Sequence, residues 1–364
     1  MSNTEAAIRA AIEGFIVPAF NGPLVTAGAV TRLSLLGREL TLGIELGIPA
    51  GGYEATLTAA LQAHLAAAGF ADLNLQLTLS GRVIAHSVQR NLAPLAGIRN
   101  IVAVASGKGG VGKSTVAVNL ALAWSAAGAR VGILDADIYG PSQPLMLGLV
   151  GQHPGSPDGK RISPLTAHGI KAMSIGFLVD PNQAVAWRGP MVTQALTQLL
   201  NDTDWGELDY LVIDMPPGTG DIQLTLAQRV PVAGAVIVTT PQDIALADAR
   251  KGIAMFEKVS VPVLGIVENM SMHVCTNCGH VDHIFGSGGG ARLAAESKVR
   301  VLGQLPLDAS IRAEADGGNP TVVAAPGSAR AQAYVEMARN TAGALALRAR
   351  DRSSLFPKIV VEAS

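Results

Sequence analysis

The sequence predicts an α/β fold in which a mainly parallel sheet carries helices on both faces, preceded by a small α+β domain. Three observations support this prediction. The apolar run Ile101–Ala105 leads into a glycine-rich loop and then into the helix-forming run Val116–Ala127. Strand-like and helix-like segments keep alternating after it, which is typical of parallel sheets with helical crossovers. Residues 1–85 instead combine helix-like segments with strands that alternate apolar and polar residues.

The glycine-rich loop is interpreted as a phosphate-binding loop. It contains G-x-x-x-x-G-K-S between a predicted strand and a predicted helix, which is the context such a loop requires. Glycines let backbone N–H groups face an anion, and the helix N-terminus adds its positive dipole end. We expect the phosphates of a nucleotide to bind along the loop, at Gly107, Lys108, Gly109, Gly110, Val111, Gly112, Lys113, Ser114 and Thr115.

Two residues of this loop have predicted individual roles. The ammonium of Lys113 would reach the β- and γ-phosphates, so Lys113 is a candidate catalytic residue, and the hydroxyl of Ser114 would ligate Mg²⁺. The alternative interpretation is an ordinary glycine-rich turn. The Lys-Ser pair, the preceding strand and the following helix together favour the phosphate loop.

Acidic side chains follow two of the predicted strands. Asp135 and Asp137 come directly after the run Val131–Leu134, and Asp214 ends the run that starts at Leu211. The carboxyl ends of parallel strands are where nucleotides bind in such folds. We expect Asp137 to position or activate the attacking water, and Asp135 and Asp214 to support Mg²⁺. The alternative is that these aspartates are only cap or turn residues.

In the segment Pro216–Gly220 the two prolines restrict the backbone and the glycines after them leave it flexible, which suits a switch that senses the γ-phosphate. We expect the next residue, Asp221, to cap a helix that starts at Ile222. That structural role is sufficient, so Asp221 receives no catalytic one.

The N-terminal region is predicted to be an α+β unit of residues 1–85. Its predicted elements are two helices, a hairpin and a further strand, at about Thr4–Phe15, Tyr53–Ala68, Ala29–Leu35 with Glu39–Leu46, and Leu73–Leu79. We expect residues 86–99 to be a linker, residues 100–350 to be the nucleotide-binding domain, and residues 351–364 to be a C-terminal tail.

Composition restricts the classes of function. The chain has 364 residues, 49% of them apolar and 15% charged, with a net charge of −1. This charge balance does not suggest a strongly basic surface, so we expect no nucleic-acid partner. No apolar run reaches the length of a membrane span, so we expect no membrane partner. Two cysteines cannot form a disulfide framework, and we expect a cytoplasmic location.

Both cysteines lie in one short stretch and are spaced C-x-x-C, as Cys275 and Cys278. Two thiolates can bind one metal centre, but a four-cysteine shell needs two more ligands. His273 with His280 or His283 could complete a zinc site, although so many ligands in so few residues are sterically difficult. The pair could be a redox dithiol, although such motifs usually open a helix. Finally, two chains could each give both thiols to a 4Fe–4S cluster on the two-fold axis of a homodimer.

Several motifs, taken in order, resemble those of the Mrp/ApbC family of iron–sulfur carrier ATPases, which have a deviant Walker loop like MinD and ParA. The motifs are GKGGVGKST, LDADIYGPS, Trp187–Pro190, IDMPPGTGD, and ENMS followed by C-x-x-C. They cover about residues 97–330. Residues 1–85 resemble the small assembly-factor domain often fused ahead of such ATPases, but Val17–Pro23 replaces that family's acidic D-P segment.

The resemblance implies functions for further residues. It implies that ATP binds, that Asn269 lies where the superfamily reads the adenine edge, and that Lys108 is a catalytic lysine that crosses to the nucleotide of a facing subunit. A turn-forming Asn269 and a solvated Lys108 are the alternatives. It also implies an ATP-sandwich homodimer with slow ATP hydrolysis. Cys275 and Cys278 of both chains would hold a labile 4Fe–4S cluster, which is passed to apo iron–sulfur proteins. The expected cofactors are ATP, Mg²⁺ and this bridging cluster.

A second class of function is a positioning ATPase of the MinD or ParA kind, which binds membrane or DNA reversibly. The C-x-x-C stretch favours the carrier, and the near-neutral charge with no clear amphipathic tail weighs against the positioning ATPase. A third possibility, a zinc-stabilised enzyme acting on a small substrate, has no pocket signature in the sequence.

Overall fold

The computed structural model describes residues 3–157, 159–179 and 189–350. In these ranges the helices are α1 (Asn3–Glu13), α2 (Leu24–Ala27), α3 (Glu54–Ala67), α4 (Lys113–Ala126), α5 (Gln143–Met146), α6 (Gly189–Asp202), α7 (Asp221–Arg229), α8 (Asp243–Lys258), α9 (Gly289–Glu296), α10 (Ala309–Asp316), α11 (Thr321–Ala324) and α12 (Ala329–Ala346). The strands are β1 (Ile16–Val17), β2 (Gly22–Pro23), β3 (Gly28–Leu36), β4 (Glu39–Leu46), β5 (Asn74–Gly81), β6 (Ile98–Ala105), β7 (Val131–Asp135), β8 (Leu165–Ala167), β9 (Ile170–Ser174), β10 (Leu208–Asp214), β11 (Gly234–Thr239), β12 (Val263–Val274), β13 (Val281–Asp282) and β14 (Arg300–Pro306).

The largest sheet of the described residues has nine strands, in the order β13-β12-β11-β6-β10-β7-β9-β8, with β14 also paired to β12. The pairs among β6, β7, β9, β10, β11, β12 and β14 are parallel, and only β8 with β9 and β12 with β13 are antiparallel. The predicted α/β fold with a mainly parallel sheet is therefore confirmed.

Helices cover the two faces of this sheet. α4 contacts β10, β7 and β6 and packs with α12, while α8 and α9 contact β11 and β12. Right-handed crossovers place α4 on one face and α7, α8 and α9 on the other, because the chain leaves β6 in one direction and β10 in the opposite one. The central strands β7, β10 and β11 are buried along their whole length, as expected for strands covered on both sides.

The N-terminal unit has its own sheet, in the order β3-β4-β5, with α1 and α3 beside it. Its predicted helices, hairpin and strand all occur. The β3–β4 turn passes through Gly37, whose φ of 64° is one that glycine adopts without strain.

The N-terminal unit docks on the amino edge of the large sheet. The Arg300 guanidinium, at the start of β14, donates to the carbonyl oxygens of Ala19 at 3.2 Å and Phe20 at 3.0 Å. The backbone N–H of Gly51 donates to the carbonyl of Ala127, at the end of α4, at 3.1 Å. Because α4 begins at the glycine loop and ends at this edge, the N-terminal unit lies at the opposite end of the sheet from that loop.

The segment predicted to be a linker, residues 86–99, packs closely in the structure. His86 is buried and its Nδ1 lies 2.9 Å from Asn100 Oδ1, and Gln89 Nε2 donates to the carbonyl of Ala227 at 2.8 Å. β6 begins inside the segment, at Ile98. Buried side-chain hydrogen bonds therefore hold this connection against the nucleotide-binding domain.

One local expectation is corrected. The helix α7 begins at Asp221 rather than Ile222; its N-cap is Gly220, and no side chain caps it. The extended backbone of Gly220 lets the helix start one residue early, which leaves the Asp221 carboxylate in the first turn. β12 runs from Val263 to Val274, through a bulge where Met270 has φ of 56°.

Some expected features lie outside the described residues, namely the tail 351–364 and the motif residues Trp187 and Arg188. None of the helices within the described ranges has both the length and the apolar composition needed to cross a membrane.

Candidate functional site

The glycine loop lies at the carboxyl edge of the sheet, between β6 and α4. β6 ends at Ala105 and the 14-residue helix α4 begins at Lys113. Gly110 and Gly112 have φ values of 81° and 80°, in the left-handed region that favours glycine. Gly112 directly precedes the first turn of α4, whose free N–H groups attract anions. The loop therefore has the backbone geometry that a phosphate chain needs.

The side chain of Lys113 is buried and points to the predicted magnesium ligands. Its ammonium contacts Asp214 Oδ1 and donates to Ser114 Oγ at 3.1 Å. The structure thus brings together the predicted phosphate lysine and two predicted magnesium ligands. Lys108 is half-buried in the loop, and its backbone carbonyl accepts a hydrogen bond from Ser106 Oγ at 2.8 Å. A role for Lys108 across a dimer stays a prediction.

The carboxylates of Asp135 and Asp214 end neighbouring strands, and the two residues are paired in the register of β7 and β10. Both are fully buried. Burial, and after it the charge of Asp214, raises the pKa of Asp135 to about 7. The Asp135 carboxylate accepts backbone N–H bonds from Asp137 at 3.1 Å and Gln143 at 3.0 Å. Backbone N–H groups thus already occupy both oxygens of this carboxylate. The support that Asp135 would give to Mg²⁺ stays a prediction.

Asp137 is half-buried beside the loop. Burial raises the pKa of its carboxyl, and the nearby positive charge of Lys113 opposes this rise. Together with Tyr139 and Pro216, Asp137 lines a cavity of about 430 Å³. A carboxylate that faces such a cavity can accept a hydrogen bond from water, as its predicted catalytic role requires. That role is still a prediction.

Gln143 directly follows the Gly-Pro-Ser of the LDADIYGPS motif, and the sequence pattern predicted no role for it. Its side-chain Nε2 donates to Asp214 Oδ2 at 2.9 Å and to the Ser114 carbonyl at 3.1 Å. Its Oε1 is buried without a hydrogen-bond partner among the described residues. The available signal was an amide residue a few positions after the Asp135 strand, at the start of α5.

The donor set fits Mg²⁺. The hydroxyl of Ser114 and the carboxylate of Asp214 are oxygen ligands of the kind that Mg²⁺ prefers, and Mg²⁺ usually keeps several of its waters. The unpartnered Oε1 of Gln143 is an acceptor that such a water can satisfy. The residues present are therefore suited to a nucleotide-bound magnesium ion.

The predicted switch segment lies against the glycine loop. The backbone N–H of Gly218, whose φ is 97°, donates to the Ser106 carbonyl at 3.1 Å. Gln223 Nε2, on α7, donates to the Pro216 carbonyl at 3.2 Å. The glycine loop therefore holds the middle of the segment and helix α7 holds its first residue, and the role of the segment as a γ-phosphate switch stays a prediction.

Asn269 lies on β12 and faces the glycine loop. Its Nδ2 donates to the Val111 carbonyl at 2.8 Å, and the side chain is buried. A Cβ added at Gly112 would lie 2.2 Å from this Nδ2, so the loop and the amide are packed in direct contact. In this conformation Asn269 supports the loop, and its expected contact with adenine stays a prediction.

The C-x-x-C pair forms the tip of a β-hairpin. β12 and β13 pair His273 with Asp282 and Val274 with Val281, and the turn between them is closed by a 2.9 Å bond from the Cys275 N–H to the His280 carbonyl. Cys278 is exposed and Cys275 is partly exposed, and both are free thiols.

Backbone groups of the same turn act on one of these thiols. The pKa of the Cys275 thiol is lowered by hydrogen bonds from backbone N–H groups. The bond from Cys278 has the largest effect, and the bond from Asn277 has the next largest. Because the thiolate is the form that ligates metals, the turn prepares Cys275 for that role.

Two of the three histidines near the thiols, His273 and His283, contact backbone carbonyls. His273 Nδ1 lies 3.0 Å from the Leu307 carbonyl and His283 Nδ1 lies 2.8 Å from the Ser271 carbonyl. In the part of the chain that the structure describes, no three His, Cys, Asp or Glu side chains are grouped to hold a metal ion. The structure thus does not assemble the one-chain zinc site, and the thiols lie in a hairpin turn rather than at a helix start, where redox dithiols usually lie.

Comparison with protein families and curated proteins gives consistent matches. A ParA family model, described as NUBPL iron-transfer P-loop NTPase, matches residues 97–342. An iron–sulfur cluster carrier protein of Haemophilus influenzae is 64% identical over 248 residues, which are 68% of this chain and 67% of that protein. The mouse iron–sulfur cluster transfer protein NUBPL is 54% identical over 247 residues, or 67% and 77% of the two chains. A carrier protein of Deinococcus radiodurans is 44% identical over 335 residues, 91% of this chain and 93% of that one.

Solved structures agree on the fold. A nucleotide-binding protein from Archaeoglobus fulgidus, in complex with ADP, is 42% identical with a TM-score of 0.55, covering 61% of this chain and 87% of that chain. The septum site-determining protein MinD of Pyrococcus horikoshii, with Mg-ADP, has 23% identity and a TM-score of 0.50, covering 66% and 94%. At this identity the second likeness shows the fold alone.

Proposed function

The chain belongs to the ParA family of NUBPL-type iron-transfer P-loop NTPases, and from this premise we propose that it is an ATP-hydrolysing iron–sulfur cluster carrier. Its cargo would be a labile 4Fe–4S cluster, and its acceptors would be apo iron–sulfur proteins. The relatives named as cluster carrier or cluster transfer proteins support this role.

One observation carries the proposal: two free thiols lie at the tip of the hairpin that follows strand β12, and the same strand contacts the glycine loop through Asn269. A tip that offers only two thiols provides half of a four-cysteine ligand set. A homodimer with its two-fold axis near Cys275 and Cys278 would supply the other half without any further ligand. An exposed, shared site suits a carrier, because the cargo can leave when the two halves separate.

We propose that the nucleotide site hydrolyses ATP slowly. The loop and the α4 N-terminus would bind the phosphates, Lys113 would exchange its contact with Asp214 for the β- and γ-phosphates, and Asp137 would orient a water. Mg²⁺, when bound at Ser114 and Asp214, neutralises the charge of the phosphates. In the proposed dimer, Lys108 would contact the nucleotide of the partner subunit. Asn269 would read the adenine edge after leaving Val111, or would continue to support the loop.

The remaining parts of the proposal concern organisation and location. We propose that residues 1–85 form an accessory domain, that residues 100–350 form the ATPase domain, and that neither nucleic acid nor membrane is a partner. A cytoplasmic location suits a protein whose two cysteines are free, because thiols and labile clusters survive best in a reducing compartment. The positioning-ATPase alternative would leave the thiol hairpin without a function.

The proposal is tested by anaerobic reconstitution with iron and sulfide. We expect about four iron atoms per two chains, from one bridging cluster, and transfer of that cluster to an apo-acceptor. Cys275→Ala and Cys278→Ala should each abolish iron binding and leave ADP binding intact. His280→Ala, on the same hairpin, is the matched control and should keep the cluster. Full iron loading in both cysteine variants would refute the assignment.

A further inference from the structure

Gln143 connects the two buried carboxylates of the nucleotide site. Its backbone N–H donates to Asp135 Oδ2 at 3.0 Å, and its side-chain Nε2 donates to Asp214 Oδ2 at 2.9 Å and to the Ser114 carbonyl at 3.1 Å. The side chain is 1% exposed. One residue therefore provides donors to both carboxylates and to the first turn of α4.

The other side-chain atom of Gln143 is unsatisfied. Oε1 is buried and no donor among the described residues reaches it. Exchanging the positions of Nε2 and Oε1 would not solve this, because the atom in the place of Nε2 faces the Ser114 carbonyl and the Asp214 carboxylate, which only accept hydrogen bonds. A buried acceptor without a donor costs free energy. Such an atom beside a ligand site indicates that the donor arrives with the ligand.

We propose that Gln143 is a positioning residue of the magnesium–nucleotide site. Nε2 fixes the orientation of the Asp214 carboxylate, and Oε1 accepts a hydrogen bond from a water that enters with Mg²⁺. This inference rests on the nucleotide site of the proposed function and adds a residue to which neither the motifs nor the matched relatives' names assign a role.

The physical reason lies in the environment of Asp214. Its Oδ1 contacts Lys113 and its Oδ2 is bound by Gln143, so each oxygen has one defined partner. Without the Nε2 donor, Oδ2 would lose its partner at a site with no exposure to water. The carboxylate would then be held by Lys113 alone and would be free to turn away from the magnesium site. Loss of a partner that orients a metal ligand typically lowers metal affinity 10–100-fold.

The experiment measures binding rather than turnover. The affinity for ADP is determined by calorimetry with Mg²⁺ and with EDTA, in the full-length wild type and in Gln143→Met and Gln143→Leu. The ADP affinity with Mg²⁺, divided by the ADP affinity with EDTA, should be lower than in the wild type by about tenfold or more in both variants. The ADP affinity with EDTA should stay near that of the wild type. Gln304→Met is the matched control: Gln304 also donates to a carboxylate, that of Glu268, at 2.7 Å, but outside the loop. Its ratio should be unchanged.

The outcomes separate this inference from the proposed function. A wild type that binds no ADP under either condition would refute the nucleotide site itself. If the wild type binds ADP more tightly with Mg²⁺ and a folded Gln143 variant shows the same ratio of affinities with Mg²⁺ and with EDTA, only the role of Gln143 is overturned. If neither variant folds, a crystal structure of the wild type with Mg-ADP decides: we expect a water within hydrogen-bond distance of Oε1, and an Oε1 that still lacks a donor overturns the inference.

Discussion

The side-chain amide of Asn269 donates a hydrogen bond of 2.8 Å to the carbonyl oxygen of Val111, and so joins strand β12 to the glycine loop. The same strand continues past a bulge at Met270 and ends at the hairpin that carries Cys275. A change in the loop on nucleotide binding would therefore reach the thiol hairpin through a single strand, six residues away.

Replacement of Asn269 by alanine should weaken both ends of this connection. Loss of a buried hydrogen bond that leaves the Val111 carbonyl unpaired costs about 1–3 kcal/mol, so we expect ADP affinity to fall about fivefold to a hundredfold by calorimetry. We also expect ADP to alter amide hydrogen exchange of residues 271–282 in the wild type and to alter it less in the variant. Asn340→Ala is the control, because Asn340 makes a similar 3.0 Å bond to the Leu302 carbonyl far from the loop. Equal ADP affinity in wild type and Asn269→Ala would contradict this coupling.

The two lysines of the loop should fail in different ways. Lys113→Ala removes the ammonium that contacts Asp214 within its own chain, so we expect hydrolysis to fall at least a hundredfold at every protein concentration. Lys108→Ala should lose hydrolysis mainly by weakening the ATP-dependent dimer, so its defect should shrink as the protein concentration rises. Sedimentation with a slowly hydrolysed ATP analogue measures the dimer directly. An active enzyme that stays monomeric would rule out the role of Lys108 in a partner's site.

His86 should make stability depend on pH. Burial lowers the pKa of this imidazole below its ordinary value, and the hydrogen bond to Asn100 opposes the change only in part. The unfolded chain therefore binds more protons than the folded one as the pH falls below about 6.5, and the folded state loses stability. We expect the free energy of unfolding to decrease from pH 7 to pH 5, and His86→Gln to reduce that decrease. His280→Gln, on the exposed hairpin, should retain the wild-type pH dependence. A slope unchanged by His86→Gln would show that other groups cause it.

Arg300 should hold the N-terminal unit in place. Its half-buried guanidinium donates three hydrogen bonds to the carbonyls of Ala19 and Phe20, and hydrogen bonds from a charged group each contribute about 1.5–3 kcal/mol. We expect Arg300→Ala to speed hydrogen exchange of residues 15–27 and to lower the denaturant midpoint. Arg312→Ala, which removes an exposed pair with Asp316, should change neither. Unaltered exchange in Arg300→Ala would mean that the apolar contacts suffice for docking.

Local patterns predicted the central part of the molecule because there the chemistry is carried by neighbouring residues. The loop from Gly107 to Ser114, the strand before it and the helix after it are consecutive in the chain, so spacing alone defines them. Asp135 and Asp214 could be placed at one edge because parallel strands align their carboxyl ends.

Long-range contacts explain what the sequence did not reveal. Gln143 acquires its role only because β10 brings Asp214, 71 residues further along, within 2.9 Å. The segment Asn269–Ser271 contains residues typical of turns, yet it forms a bulge inside a strand, because the residues on either side of it, Glu268 and Met272, pair with β14. His86 and Gln89 were expected in a linker, and their burial depends on partners in β6 and α7. In each case a tertiary partner, invisible to a window of sequence, decides the outcome.

The docking of the N-terminal unit at the amino edge has a practical consequence. A reporter group placed at the β3–β4 turn, where Leu36 is 76% exposed, would be carried by a part of the molecule remote from both the phosphate loop and the thiols. The distance between two such labels on separate chains would thus report formation of the proposed dimer, without obstructing the nucleotide site or the thiols.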